Sequence, residues 1–203
     1  MLQKKLDARI IFGILLAHVL LFITFQEKNV FWYLFTASML FLITYTILQE
    51  EMDDQQPIQI YLTYGVLSGV SLFGLFYLGN IIIHIIDLPL KGSVAKLYKQ
   101  MSPTQIWQYI VLFLIIIPGE EIFWRGFILK RLIGRLKILP SILLSTLLYT
   151  SVNIYSGSSH LILASIVAGL VWSSLYVWKR SIPLLIVSHL VFDLFLLVLL
   201  PLS

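Results

Sequence analysis

The chain has 203 residues, of which 59% are hydrophobic and 12% charged, whereas about a quarter of a soluble domain is charged. That balance, with a mean hydropathy of +0.94, excludes a soluble globular enzyme and marks an integral membrane protein. The net charge of +4 does not point to nucleic acid, because the basic residues sit in short clusters flanking apolar runs and read as topology signals. The absence of cysteine excludes disulfides, thiolate metal sites, a cysteine nucleophile and a lipid-modified cysteine.

In chain order, apolar runs predict seven spans at residues 10–25, 30–48, 58–86, 106–129, 139–155, 161–178 and 182–200, each long enough or nearly so for the roughly 20 residues a bilayer requires. The third run is overlong and is expected to tilt or bend at its glycines. Residues 91–105 mix Lys91, Lys96 and Lys99 with Val94, Leu97, Tyr98 and Met101, the pattern of a short interfacial helix. Serines and Gly157 between Asn153 and His160 break the long uncharged stretch before the sixth span. The fold class is therefore all-α, a polytopic transmembrane bundle. Residues 1–105 form N-terminal helices with an interfacial segment, and residues 106–203 form the core.

Lys4, Lys5 and Arg9 place the N-terminus in the cytoplasm by the positive-inside rule. Counting spans then puts Lys130, Arg131, Arg135, Lys137, Lys179 and Arg180 inside and the C-terminus outside. Two segments fit this orientation less well: an acidic inner loop with Glu50, Glu51, Asp53 and Asp54, and the outer Lys91 segment.

Chemistry concentrates in the fourth span, where Glu120, Glu121 and Arg125 interrupt apolar sequence. An ionisable group at the centre of a membrane helix costs about 2.5–3.5 kcal/mol on insertion scales, so it persists where it pairs or does chemistry. Glu121 and Arg125 are four apart, on one helical face, and read as a structural ion pair; Glu120 is left over. His189 and Asp193 share one face of the last span by the same spacing. With a rise of 1.5 Å per residue, Glu120 lies about 15 Å from the Lys130 end of its helix, His189 about 14 Å beyond Arg180, and Asn153 about 20 Å beyond the basic loop. All three can meet near mid-membrane.

His18, His84 and His160 have no partner at helical spacing and read as packing or interfacial residues. Gly65 and Gly69 permit close helix approach, more commonly within a bundle than at a dimer face. Trp32, Trp107 and Trp178 read as interfacial anchors, and Phe123, Trp124, Phe127 and Phe192 as the apolar seal around the polar cluster.

The Glu120-Glu-x-x-x-Arg125 pattern, with His189-x-x-x-Asp193 in the final span, resembles the CPBP family of intramembrane proteases, which includes CAAX prenyl endopeptidases and bacteriocin-processing or immunity-related relatives. The resemblance covers roughly residues 106–200. The family's middle motif, Phe-x-x-x-His, corresponds here to Tyr149-Thr-Ser-Val-Asn153, a departure at both ends. The resemblance implies a catalytic set of Glu120, Glu121, Arg125, Asn153, His189 and Asp193, with Glu120 activating a water. A carboxylate in an apolar bundle can act as general base toward a water attacking an amide, while neighbouring donors stabilise the oxyanion. Asn153 can hydrogen-bond but cannot shuttle a proton. Zinc sites generally use three protein ligands; the cluster offers one histidine and carboxylates, so glutamate-activated water is favoured, with a divalent metal such as zinc left open.

The expected protein is a multi-pass enzyme of a bacterial plasma membrane, an intramembrane endopeptidase acting on a membrane-associated protein or peptide, with no nucleic-acid partner. The alternatives are a scaffold or bacteriocin self-immunity protein of the same fold that lost the second histidine, and a transporter using Glu120 or Asp193 as proton carriers. No paired broken-helix repeat supports transport.

Overall fold

The computed structural model of the protein describes residues 7–85, 98 and 102–202, apart from the side chain of His84. Most of the interfacial helix expected over 91–105, together with Lys4 and Lys5, lies outside the described residues. Among the described residues seven helices are long and apolar enough to cross a membrane: α1 Ala8–Gln26, α2 Lys28–Ile47, α3 Ile58–Ile85, α4 Ile106–Ile133, α5 Ile138–Ser156, α6 Ser159–Lys179 and α7 Ile182–Leu199. The expected spans are all present, and the protein is an all-α multi-pass bundle with no strand among the described residues.

Helix α4 occupies the centre. It touches α2, α5, α6 and α7, while α1 pairs with α2, α5 with α6 and α3 with α7. Its buried side chains include Ile116, Ile117, Phe123, Trp124, Phe127 and Leu129; of the aromatics expected to seal the polar cluster, Phe123 and Phe127 stack on each other and face Gly13 of α1 instead. The sequence also explains why this helix is irregular. Pro118 has no N–H to donate to the carbonyl one turn earlier, and the turns just before it, Leu112–Ile116, widen into a π-helix. A second π segment, Ile122–Leu129, follows Glu121. Such bulges rotate side chains out of regular register and are frequent at functional sites.

Gly65 and Gly69 serve packing within the bundle. A Cβ added at Gly69 would lie 2.5 Å from the Ser188 carbonyl oxygen, and one at Gly65 would lie 2.7 Å from Val187. This close approach brings α7, and with it His189, against α3.

The acidic loop that fitted the orientation poorly supplies the counter-charges for the basic loops. Lys130 Nζ lies 2.7 Å from Asp53 Oδ1, Arg131 bridges Asp7 at 2.5 Å and Glu50 at 2.7 Å, and Arg135 reaches Asp7 at 2.9 Å. Tyr176 donates its O–H to Asp53 Oδ2 at 2.6 Å. The α2–α3 loop also pairs its backbone with the α6–α7 turn: Ile182 N–H donates to the Asp53 carbonyl at 2.8 Å and Gln55 N–H to the Arg180 carbonyl at 3.3 Å. Arg180 adopts a left-handed conformation in that turn, with φ of 49°. Burial opposes ionisation of Asp7, but the hydrogen bond and charge of Arg131 outweigh it and hold the carboxyl below its usual range. Asp53 is likewise lowered, burial being outweighed by Lys130 and Tyr176.

Candidate active site

Glu121 and Arg125 form the expected pair, Arg125 Nη1 donating to Glu121 Oε1 at 3.1 Å, both side chains fully buried. The same carboxylate oxygen has a second partner that helical spacing could not reveal: His189 Nδ1, on α7, lies 2.8 Å away. Since an ionised carboxylate only accepts, Nδ1 carries the hydrogen, and in the neutral ring the lone pair is left on Nε2. Asp193, on the same face of α7, stands 3.7 Å from Nε2, beyond hydrogen-bond distance; it forms one wall of an opening, and Glu121 does the orienting.

The histidine ring is fixed from other directions as well. Trp172 of α6 stacks on it with centroids 3.8 Å apart and planes at 28°. Trp172 Nε1 donates to Ser188 Oγ at 3.2 Å, and Ser68 Oγ of α3 donates to the same oxygen at 2.9 Å. Arg125 lies beneath, its guanidinium carbon 4.7 Å from the Tyr149 ring centroid and 5.3 Å from that of Trp172.

Glu120 points the other way, into a cavity of about 210 Å³ that it lines with Tyr149, Asn153, Trp172, His189 and Asp193. Its Oε2 is 3.9 Å from His189 Nε2 and accepts the Tyr149 O–H at 3.2 Å. The side chains of Glu120 and Asp193 each keep 14% of their surface accessible, against none for Glu121. Water therefore reaches the first two carboxylates and is shut out from the third. Asn153 lines the same cavity, but its amide donates to the Tyr149 carbonyl at 2.9 Å; the place beside Glu120 is taken by the tyrosine hydroxyl. From this floor the cavity runs to Phe31, Trp32 and Ser102, at the end of the bundle opposite the ion-paired loops. A second, largely apolar cavity of about 320 Å³ shares Phe76, Tyr98, Ala164 and Leu196 with it.

The six residues singled out from the sequence thus line or underlie one site. Sequence reasoning missed Tyr149 and Trp172. The tyrosine stood in the motif as a departure from phenylalanine, which was the available signal; Trp172 had none. His18, read as a lone packing residue, takes Tyr155 O–H and Ser151 Oγ as neighbours at 2.8 and 3.2 Å, both from α5. Among the described residues no group of three or more His, Asp or Glu is arranged to hold a metal ion. The donors explain why: Glu121 Oε1 and His189 Nδ1 are committed to each other, and the groups facing the cavity stand 3.7–3.9 Å apart.

Fold and site together define a polytopic membrane protein with a carboxylate–histidine constellation inside its helix bundle. The family model of the Rce1-like type II CAAX prenyl endopeptidases matches residues 102–195, consistent with the CPBP-type resemblance of the Glu120 and His189 motifs. No curated protein and no solved structure matches the chain.

Proposed function

We propose that the protein is an intramembrane endopeptidase in which Glu120 activates a water to hydrolyse a peptide bond of a membrane-associated substrate. The observation that supports this best is the open triangle formed by Glu120 Oε2, His189 Nε2 and Asp193 Oδ2, with 3.9 and 3.7 Å from the imidazole to the two carboxylates. Polar groups at such separations are bridged by water rather than bonded directly, and the cavity admits it. Glu120 takes a proton from that water as its oxygen attacks the carbonyl carbon. The oxyanion is met by the Nε2–H of His189 in its doubly protonated form, its Nδ1–H staying on Glu121. Glu120 then returns the proton to the leaving amine as the C–N bond breaks. Glu121 and Arg125 act from below by holding His189.

With the N-terminus placed in the cytoplasm by its basic residues, the cavity mouth faces the opposite side of the membrane, and the substrate enters from there. The apolar second cavity suits a hydrophobic part of that substrate. Because the chain has no cysteine, Ser102→Cys at the mouth and Lys137→Cys at the charged end can each be labelled alone in intact cells. An impermeant maleimide is expected to modify the first and spare the second; the reverse result would invert the orientation.

The chemical reading is tested by comparing the membrane proteomes of cells carrying the native protein and Glu120→Gln. An uncleaved precursor is expected with the variant. The substitution of Asn153 for the family's histidine favours one other reading, a non-catalytic scaffold or bacteriocin self-immunity protein. It requires that Glu120→Gln, His189→Ala and Asn153→Ala all keep full biological function at normal expression.

A further inference from the structure

The middle motif departs from the family pattern twice, and both departures line the cavity that Glu120 faces. Asparagine for histidine removes a titratable ring; tyrosine for phenylalanine adds one polar atom. That atom, the Tyr149 hydroxyl, donates to Glu120 Oε2 at 3.2 Å. Asn153 is turned onto the Tyr149 carbonyl one turn back, so it braces the helix at the tyrosine and makes no hydrogen bond to the carboxylate. The phenol has little freedom to leave. Its ring is buried, covered by the Arg125 guanidinium at 4.7 Å and packed on Trp124 with centroids 5.6 Å apart. On another side α6 passes so close that a Cβ on Gly169 would lie 3.3 Å from the tyrosine ring.

A carboxylate in an apolar cavity needs a donor to hold its orientation, and a hydrogen bond to an ionised group is roughly twice as strong as one between neutral groups. A phenol, which titrates near pH 10, remains a donor over the whole range in which a histidine would change charge. We infer that Tyr149 is a positioning residue for Glu120, and that the Tyr149/Asn153 pair is a compensated exchange for Phe/His rather than a decayed motif. The inference rests on the reading of Glu120 as the base.

The test uses four purified full-length proteins: native, Tyr149→Phe, Asn153→His and the double variant Tyr149→Phe/Asn153→His. Two quantities are read, kcat and KM on a peptide spanning the cleavage site of the accumulated precursor, and the rate at which dicyclohexylcarbodiimide modifies Glu120, followed by mass spectrometry. Tyr149→Phe is expected to lower kcat about ten- to a hundredfold, the range for one charge-assisted contact, with KM and melting temperature little changed. It should also speed carbodiimide modification of Glu120 several-fold, since the carboxyl loses its donor. The double variant should return kcat to within a few-fold of native, because a histidine at 153 is then needed and present. Native kcat in Tyr149→Phe, or a double variant no better than the single, overturns the inference. If the native protein cleaves nothing, the protease reading fails by itself, and the carbodiimide rates still decide the contact: equal rates in native and Tyr149→Phe overturn it.

Discussion

The protein holds two charge clusters built on opposite rules. At the loop end, Asp7, Glu50 and Asp53 meet Lys130, Arg131 and Arg135 at 2.5–2.9 Å in partly exposed pairs, a closed network that ties α1, the α2–α3 loop and α4 together. In the bundle, three acids face one arginine and one histidine, and the distances divide into two sets. Those beneath the site are tight, 3.1 Å for Arg125 to Glu121 and 2.8 Å for His189 to Glu121. Those facing the cavity stay open at 3.7 and 3.9 Å. The open distances belong to the two carboxylates that water reaches, and this gap sets the proposed site apart from the clamp beneath it.

Substitutions sharpen this contrast in order of size. Glu120→Gln and His189→Ala remove groups on the open side; each is expected to reduce hydrolysis by about 10²–10⁴-fold, the range for general acid–base groups, with folded yield preserved. Arg125→Ala acts on the tight side. It leaves Glu121 buried beside one partner and should cost about 3–5 kcal/mol of stability, read as a lower melting temperature and less folded protein in detergent. Native-like stability in Arg125→Ala would contradict the division. Gly69→Ala drives a methyl toward the Ser188 carbonyl and should cost about 1–3 kcal/mol by overpacking, displacing the helix that carries His189.

The loop network carries the smallest effect and a pH signature. Asp7 and Asp53 have carboxyls lowered in the folded protein, so their contribution is fully present above the ordinary aspartate value, about pH 4, and is lost as pH falls through the lower folded values. Between pH 5 and 7 these two groups should leave the melting temperature unchanged; below pH 4 it should drop, and less so in Asp7→Asn. That variant alone should cost about 1 kcal/mol or less at neutral pH, since the pairs are partly solvated. An acid limb unaltered by Asp7→Asn would remove the network from the account of stability.

Much of this was legible in the sequence because membrane insertion imposes simple rules. Hydropathy located all seven spans to within a few residues, and i, i+4 spacing found the Glu121–Arg125 pair. Partners across helices were not legible. His189 shares a face with Asp193 by spacing within α7, whereas its tight partner is Glu121 on α4, which spacing within one helix does not reveal. The acidic loop looked like an exception to the positive-inside pattern because loop-to-loop pairing is invisible in a linear count. Depth matching put Asn153 beside Glu120; the helix does arrive there, but a side chain one turn earlier, Tyr149, reaches the carboxylate first. The π segments of α4 were announced only by Pro118.

The most direct measurement is cleavage by the purified protein, in lipid nanodiscs, of the precursor that accumulates in Glu120→Gln membranes. The native protein is expected to cut it, and Glu120→Gln to cut it at least about a hundredfold more slowly while melting at the same temperature. Equal rates for the two proteins, or no precursor in the variant membranes at all, would contradict glutamate-activated hydrolysis at this site.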